Sequence, residues 1–313
     1  MPPIAHWDDA DRQRFEVGDQ LVSYWTDLAS AAGSVAVGVN RIEVDPGKRS
    51  TPVHMEADEE EIFYVLGGSG LAWQWDGEEF VTYEIRAGDC LVHLAHHEAH
   101  SVVAGPEGID LLAFGVRTYP RLTYFPRLEG ARMGWAWAEK LPEHQWVREA
   151  ALGEPDLPDP SPRPERIVNL EDVPEEEFAG DGSTVRAFAR DLASTAGSVR
   201  TGLNYVRVEP GKLNAPPHCH SAEEEFFIVL AGEGVCLLGD EEHAVGRGHL
   251  VSRPAGTRIA HAFRAGGPGL ELLSYGTREA NDIAFYPRSG KVSFRGVGLV
   301  TRVDRLGYWD GES

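Results

Sequence analysis

Apolar residues fall in short runs separated by turns. In the first half the runs are Val35–Val44, Ile62–Leu66, Leu71–Trp75 and Leu111–Val116. In the second half they are Val199–Val208, Phe226–Leu230, Val235–Leu238 and Leu270–Tyr275. Gly, Pro, Asp and Asn punctuate them, as in Asp45-Pro46-Gly47, Asp76-Gly77, Glu209-Pro210-Gly211 and Pro254-Ala255-Gly256. Short β-rich runs at this spacing predict an all-β barrel or sandwich. One stretch differs: 131–147, with Trp135, Trp137 and Trp146, is expected as a short helix packed on a barrel. Residues 152–164 (LGEPDLPDPSPRP) are rich in proline, whose fixed φ favours an extended spacer.

The pattern occurs twice. Residues 27–35 (DLASAAGSV) return as 191–199 (DLASTAGSV), an offset of 191 − 27 = 164. The same offset relates Asn40 to Asn204, His54 to His218, Glu61 to Glu225 and Gly68 to Gly232. Near the end of each copy it slips, since Phe125-Pro126-Arg127 matches Tyr286-Pro287-Arg288 at 288 − 127 = 161. A repeat this long is a duplicated domain rather than a solenoid unit. The expected division is a first barrel with a leading arm over 1–128, a helical and proline-rich linker over 129–174, and a second barrel with an aromatic tail over 175–313. Tyr308 and Trp309 in that tail suit docking on the other domain or on a second subunit.

Composition narrows the partners. The 313 residues carry 29 basic and 50 acidic side chains, a formal charge of −21. Such a surface repels phosphates, which argues against nucleic acid and anionic membranes. The three cysteines, Cys90, Cys219 and Cys236, have no CxxC spacing and read as free thiols in a reducing compartment. No secretory signal or membrane-length apolar run is visible, so a cytoplasmic location is expected.

The chemistry concentrates in residues 218–232 (HCHSAEEEFFIVLAG). On an extended strand His218 and His220 face one way and Cys219 the other. After an acidic turn, Glu225 opens the next strand, where its carboxylate can meet the two imidazoles. Two His and one Glu from adjacent strands form a metal-ligand set. The competing reading is a polar strand, a solvated turn and a core strand. A later segment, 248–263, offers His261 as a fourth ligand. In the first copy the corresponding positions are His54, Glu56, Glu61 and His100, with Glu56 in place of a second histidine. His93, His96 and His97 are assigned to a surface loop. The run Asp58–Glu61 is assigned to a solvated turn, apart from Glu61. Trp73 and Trp75 are assigned to the core.

These two segments resemble the paired signature motifs of the cupin superfamily. Gly211, His218, His220, Glu225 and Gly232 follow the first motif, with one extra residue after Gly211. Gly248, Pro254, Gly256 and His261 follow the second more loosely, with Ala265 where the family has Asn. The resemblance spans both repeats. It implies a bicupin: two tandem double-stranded β-helix, jelly-roll-like barrels with short peripheral helices, each with a site in its mouth. It further implies one divalent transition metal (Fe, Mn, Ni or Zn) on His218, His220, Glu225 and His261. A second metal at His54, Glu56, Glu61 and His100 is a further candidate, against loss of metal from that barrel. By analogy Arg258, Asn204 and Tyr275 are candidate substrate contacts near the second mouth, as is Arg253. The resemblance points to a metal-dependent enzyme (oxygenase-, decarboxylase- or isomerase-like) acting on a small polar or carboxylated molecule, in a homodimer. A non-catalytic ligand-binding or sensor protein and a storage protein are the alternatives.

Overall fold

The computed structural model describes residues 3–133, 136, 137, 143–180, 182 and 184–312. The chain folds as two copies of one β architecture. In the first, an eight-stranded sheet runs in the order 167–169, 89–93, 61–75, 99–116, 37–44, 21–27 and 12–17, with 80–86 paired to 61–75. In the second, the order is 4–6, 249–253, 225–238, 261–276, 202–208, 186–191 and 176–179, with 241–246 paired to 225–238. Each copy adds a four-stranded sheet, 55–56, 122–125, 130–133 and 136–137 in the first and 219–220, 283–286, 291–294 and 299–302 in the second. The layers are jelly-roll-like rather than closed barrels.

The strand Glu225–Leu238 shows why the sequence lacks simple alternation here. Phe226 and Ile228 face a core shared with the first copy, while Phe227 and Val229 face the interior of their own copy. Both faces are dry, so the run reads as continuously apolar. Gly232 ends it for a steric reason. Its φ is +77°, and a Cβ there would lie 2.2 Å from the carbonyl oxygen of Gly269. The register shifts at this point, which bends the strand.

The two copies exchange segments. Ile4–His6, in the leading arm of the first copy, pairs with His249–Arg253 of the second. Ile167–Asn169, from the linker, pairs with Asp89–His93 of the first. The shared core joins Leu28, Val39, Ile62 and Phe114 to Leu192, Leu203, Phe226 and Tyr275. Phe114 and Tyr275 stack across it at 5.1 Å.

The acidic turns are not solvated. Glu60 is 2 % exposed and accepts hydrogen bonds from Ser198, from the Thr201 hydroxyl and from the backbone N–H groups of Val199 and Thr201. Glu224, also 2 % exposed, accepts from the hydroxyls of Ser34 and Ser252 and from the N–H groups of Val35 and Ala36. Each carboxylate thus closes the turn that follows the short helix of the opposite copy, Leu28–Ala31 or Leu192–Thr195.

The stretch 131–147 is not one helix. It contains strands Gly130–Met133 and Ala136–Trp137, and the helix begins later, at Gln145–Ala151. The reason is local: the first strands continue the four-stranded sheet in a meander. Trp135 lies outside the described residues. Trp146 packs on Phe15 at 5.6 Å, and Glu149 receives ion pairs from Arg49 and Arg127. Trp73 is in the core, whereas Tyr308 and Trp309 are exposed and pack on each other. The three cysteines are free and buried.

Replacing Glu224 by Ala strands several buried donors of the opposite copy. A loss on the order of 3 kcal/mol is expected, with a smaller loss for Glu224→Gln, which keeps an acceptor. Urea unfolding measures it; an unchanged midpoint for Glu224→Ala would show that the exchanged carboxylate does not hold the copies together.

Candidate metal centres

The second copy assembles its site at the open end between its two sheets. His218 precedes the short strand Cys219–His220, which pairs with Ile283–Tyr286. Backbone hydrogen bonds tie His218 to His261, the first residue of the strand His261–Gly276. Glu225 opens its own strand in register with Arg253 and Gly276. Ligand atoms of His218, Glu225 and His261 lie within 4.8 Å of one another. Nε2 of His261 is 2.8 Å and Nε2 of His220 is 3.2 Å from Oε2 of Glu225. The four sequence-derived residues therefore converge.

Their surroundings prepare them to bind a cation. Nδ1 of His218 is 2.8 Å from the carbonyl of Pro216, and Nδ1 of His220 is 2.6 Å from Asp282. Each Nδ1 can donate there, which leaves Nε2 as a lone-pair donor aimed at the site. Burial pushes the His218 pKa down to about 4, so it is neutral near pH 7. For Glu225, burial works to raise the pKa. Charge from His261 and hydrogen bonds from His220 and His261 outweigh it and hold the carboxyl well below its usual range. For His220, burial lowers the pKa, but Glu225 and Asp282 together bring it up to about 9. Nε2 of His220, Nε2 of His261 and Oε2 of Glu225 are all buried without a hydrogen-bond partner of proper geometry. Buried acceptors crowded on one point need a proton or a cation. A divalent ion fits this donor set.

Other side chains complete the site. Arg253 is 5 % exposed, in register with Glu225, and donates to Thr257 and to the carbonyl of Ile259. It places a buried positive charge beside the cluster and ties down the turn that leads to His261. Tyr286 stacks on His218 at 5.4 Å, and the Lys291 ammonium lies 5.0 Å over the Tyr286 ring. Glu223 forms an ion pair with Arg295, and burial pushes its pKa up to about 7.

The three expected substrate contacts divide. Arg258 is exposed on the turn after Pro254, with φ +60°, so the inward guanidinium is that of Arg253 instead. Tyr275 is fully buried in the core shared by the copies, because residues of its strand alternate faces and its face points away from the site. Asn204 is half-buried and shares a register row with Ser274 and Phe227, one layer inward of Glu225.

The first copy brings together His54, Glu61 and His100, again within 4.8 Å. Nδ1 of His54 is 2.9 Å from the Pro52 carbonyl, and Nε2 of His100 is 3.0 Å from Glu61. Burial lowers the His100 pKa to about 4. For Glu61, burial acts upward but the His100 hydrogen bond and charge bring it down to about 2. Glu56 is not in this group. Its carboxylate accepts from the Thr123 hydroxyl at 3.2 and 3.0 Å and stays 4.0 Å from Nε2 of His54. Burial raises its pKa, with Glu61 adding to the effect. Glu59 is 4 % exposed rather than solvated, and pairs with Arg121 at 2.5 Å. His93 is also buried, in register with Glu61 and stacked on His100 at 3.9 Å. Only His96 and His97 occupy the exposed turn expected of all three.

Sequence reasoning missed Asp282 and Arg121. The 161-residue offset relates them, since Ala284 and Thr123 occupy matching register positions opposite His220 and Glu56. That slip in the repeat was the available signal.

The cupin domain model matches residues 40–109 and 204–273. The chain carries two cupin domains. No curated protein matches it in sequence. Among solved structures it is similar to oxalate decarboxylase from Bacillus subtilis, with a TM-score of 0.58 and 16 % identity over 88 % of this chain and 75 % of that one. It is also similar to oxalate decarboxylase from Lactobacillus farciminis, with a TM-score of 0.59 and 15 % identity over 88 % and 85 % of the two chains. Vicilin from Solanum lycopersicum (tomato) has a TM-score of 0.58 and 13 % identity over 91 % and 88 %. At these identities the likeness is one of fold. Among the described residues no helix is long and apolar enough to cross a membrane.

In the bicupin without metal, the proton on His220 stands where a cation would bind. The pair it forms with Glu225 stabilises the fold at low and neutral pH, and this contribution disappears as pH rises through about 9. Metal binding must displace the same proton. Affinity at the second site should therefore climb between about pH 6 and about pH 9, with proton release measurable by calorimetry in buffers of different ionisation enthalpy. A flat profile would show that His220 does not ligate.

Proposed function

We propose that this bicupin is a metal-dependent enzyme working at its C-terminal cupin domain on a small polar or carboxylated molecule. The observation that supports this most is the convergence of three buried, unsatisfied donor atoms from His220, Glu225 and His261. A decarboxylase-type reaction is the first to test. Two of the structural neighbours are oxalate decarboxylases, and the Bacillus subtilis protein is described with Mn(II) centres. Mn or Fe suits the site, and Ni or Zn is compatible with its imidazoles. A resident divalent ion would polarise substrate oxygen as a Lewis acid.

The chain's own residues divide the remaining work. His218, His220, Glu225 and His261 hold the ion. Asp282 fixes the orientation and tautomer of His220, and a carboxylate behind a ligating imidazole strengthens its Nε2 as a donor. Arg253 and Lys291 supply positive charge that favours a carboxylate in the mouth. The proposed partner is thus a small anion, with a homodimer in the cytoplasm as the setting. A storage role, as vicilin's likeness in fold would invite, does not require the ligand set that this chain keeps.

Purified protein should contain about one or more divalent ions per chain, and His218→Ala with His220→Ala should remove the ion from the second site. Asp282→Asn should weaken it by roughly 10- to 100-fold. Turnover of oxalate and other small carboxylates by metal-loaded protein, followed as CO2 release, tests the reaction. Protein that cannot be loaded would end the enzyme reading. Loaded protein inert towards carboxylates, diketones and catechols would favour a ligand-binding role.

A further inference from the structure

The two cupin domains differ at one pair of positions in a correlated way. In the second, His220 is backed by Asp282 at 2.6 Å, with Ala284 opposite it across the strand pair. In the first, the equivalent residues are Glu56, Arg121 and Thr123. An imidazole backed by a carboxylate has become a carboxylate flanked by a guanidinium. The positive and negative partners have changed places, and a hydroxyl has been added.

The reversal has a geometric consequence. Asp282 takes the Nδ1 proton of His220 and frees Nε2, which reaches 3.2 Å from Glu225. At Glu56 the polar neighbours act the other way. Thr123 donates to its carboxylate, and Arg121 lies 3.9 Å from Oε1. These contacts occupy the lone pairs that a metal would need. Glu56 is 4.0 Å from His54 Nε2 and belongs to no group of converging ligand atoms. By contrast, Oε2 of Glu61 and Nε2 of His100 are buried and unpartnered, 3.0 Å apart, as their counterparts are in the second site.

We propose that the first cupin domain is a distinct metal site with three protein ligands, His54, Glu61 and His100, and that Glu56 is not a ligand but a carboxylate held at its edge by Thr123 and Arg121. Two histidines and one carboxylate leave more of the ion open to outside oxygen ligands than the four-ligand set does. With one protein ligand fewer, this site holds its ion less tightly and exchanges it first. Glu56, kept off the ion, is placed to accept a hydrogen bond from a water or hydroxyl group bound beside it. The inference shares with the functional reading only the premise that the donor ends of these domains take metal.

Metal counting separates the alternatives. Wild-type protein loaded with Mn(II) or Co(II) and freed of excess ion should carry two per chain, and graded chelator should remove one well before the other. Glu56→Gln should keep both ions, with the affinity of the weaker site changed less than about threefold, whereas Glu61→Gln or His100→Ala should leave one. The same measurements on His218→Ala/His220→Ala protein isolate the first site, where Glu56→Ala provides a second check should the glutamine itself ligate. A drop to one ion in Glu56→Gln overturns the three-ligand assignment. A wild-type count of one, lost in His218→Ala/His220→Ala, also overturns it while leaving the proposed function of the second domain standing. A count of zero overturns both.

Discussion

The burial of Glu224 in the turn of the opposite copy, matched by Glu60 in return, is the contact on which the rest of the arrangement depends. A buried carboxylate is costly unless its oxygens are satisfied, so the turn that satisfies it cannot move away freely. Each copy supplies the turn that the other needs. The neighbouring residues then have their roles set by alternation along the chain. Glu225 faces the interior of its own domain, and Glu223 meets Arg295 at the outside of the turn. Three consecutive glutamates serve the metal site, the interface and a closing ion pair. A shift of one residue would send each to the wrong environment.

This coupling links fold to function. The strand carrying Glu225 is fixed on one face by Phe226 and Ile228 in the shared core and on the other by Phe227 and Val229. The ligand carboxylate therefore projects from a strand with little freedom, which suits a site whose donors must meet within a few tenths of an ångström. The exchanged strands Ile4–His6 and Ile167–Asn169 reinforce the arrangement by pairing with His249–Arg253 and Asp89–His93, the strands that carry Arg253 and His93 into the two sites.

Duplication preserved this frame while the chemistry inside it diverged. His220 with Asp282 corresponds to Glu56 with Arg121, Tyr286 to Phe125, and Arg253 to His93. Both copies retain the stacked ring on their first histidine, at 5.4 Å in one and 6.1 Å in the other. Both retain the His–Glu–His core of the ligand set. The formal charges remain comparable as well. The first site has Glu56 and Glu61 against Arg121, and the second has Glu225 and Asp282 against Arg253. Buried charge must be balanced locally, so a change of ligand type required a compensating change behind it.

Much of this was legible in the chain. The repeat, the β class, the convergence of His218, His220, Glu225 and His261, and the free cysteines follow from local spacing and strand periodicity. These act over a few residues, or over copies that can be compared side by side. Other features depend on contacts between distant segments. The sequence could not show that Glu60 and Glu224 are buried, because an acidic turn becomes dry only when another domain covers it. It placed Tyr275 near the site, while strand register turns that ring into the shared core. It favoured Arg258 over Arg253, which a bend in the intervening turn reverses. Local pattern determined which residues could bind a metal. Packing between the copies decided which of them meet, which are held apart and what charge stands behind each, because those outcomes depend on distances that the linear order does not contain.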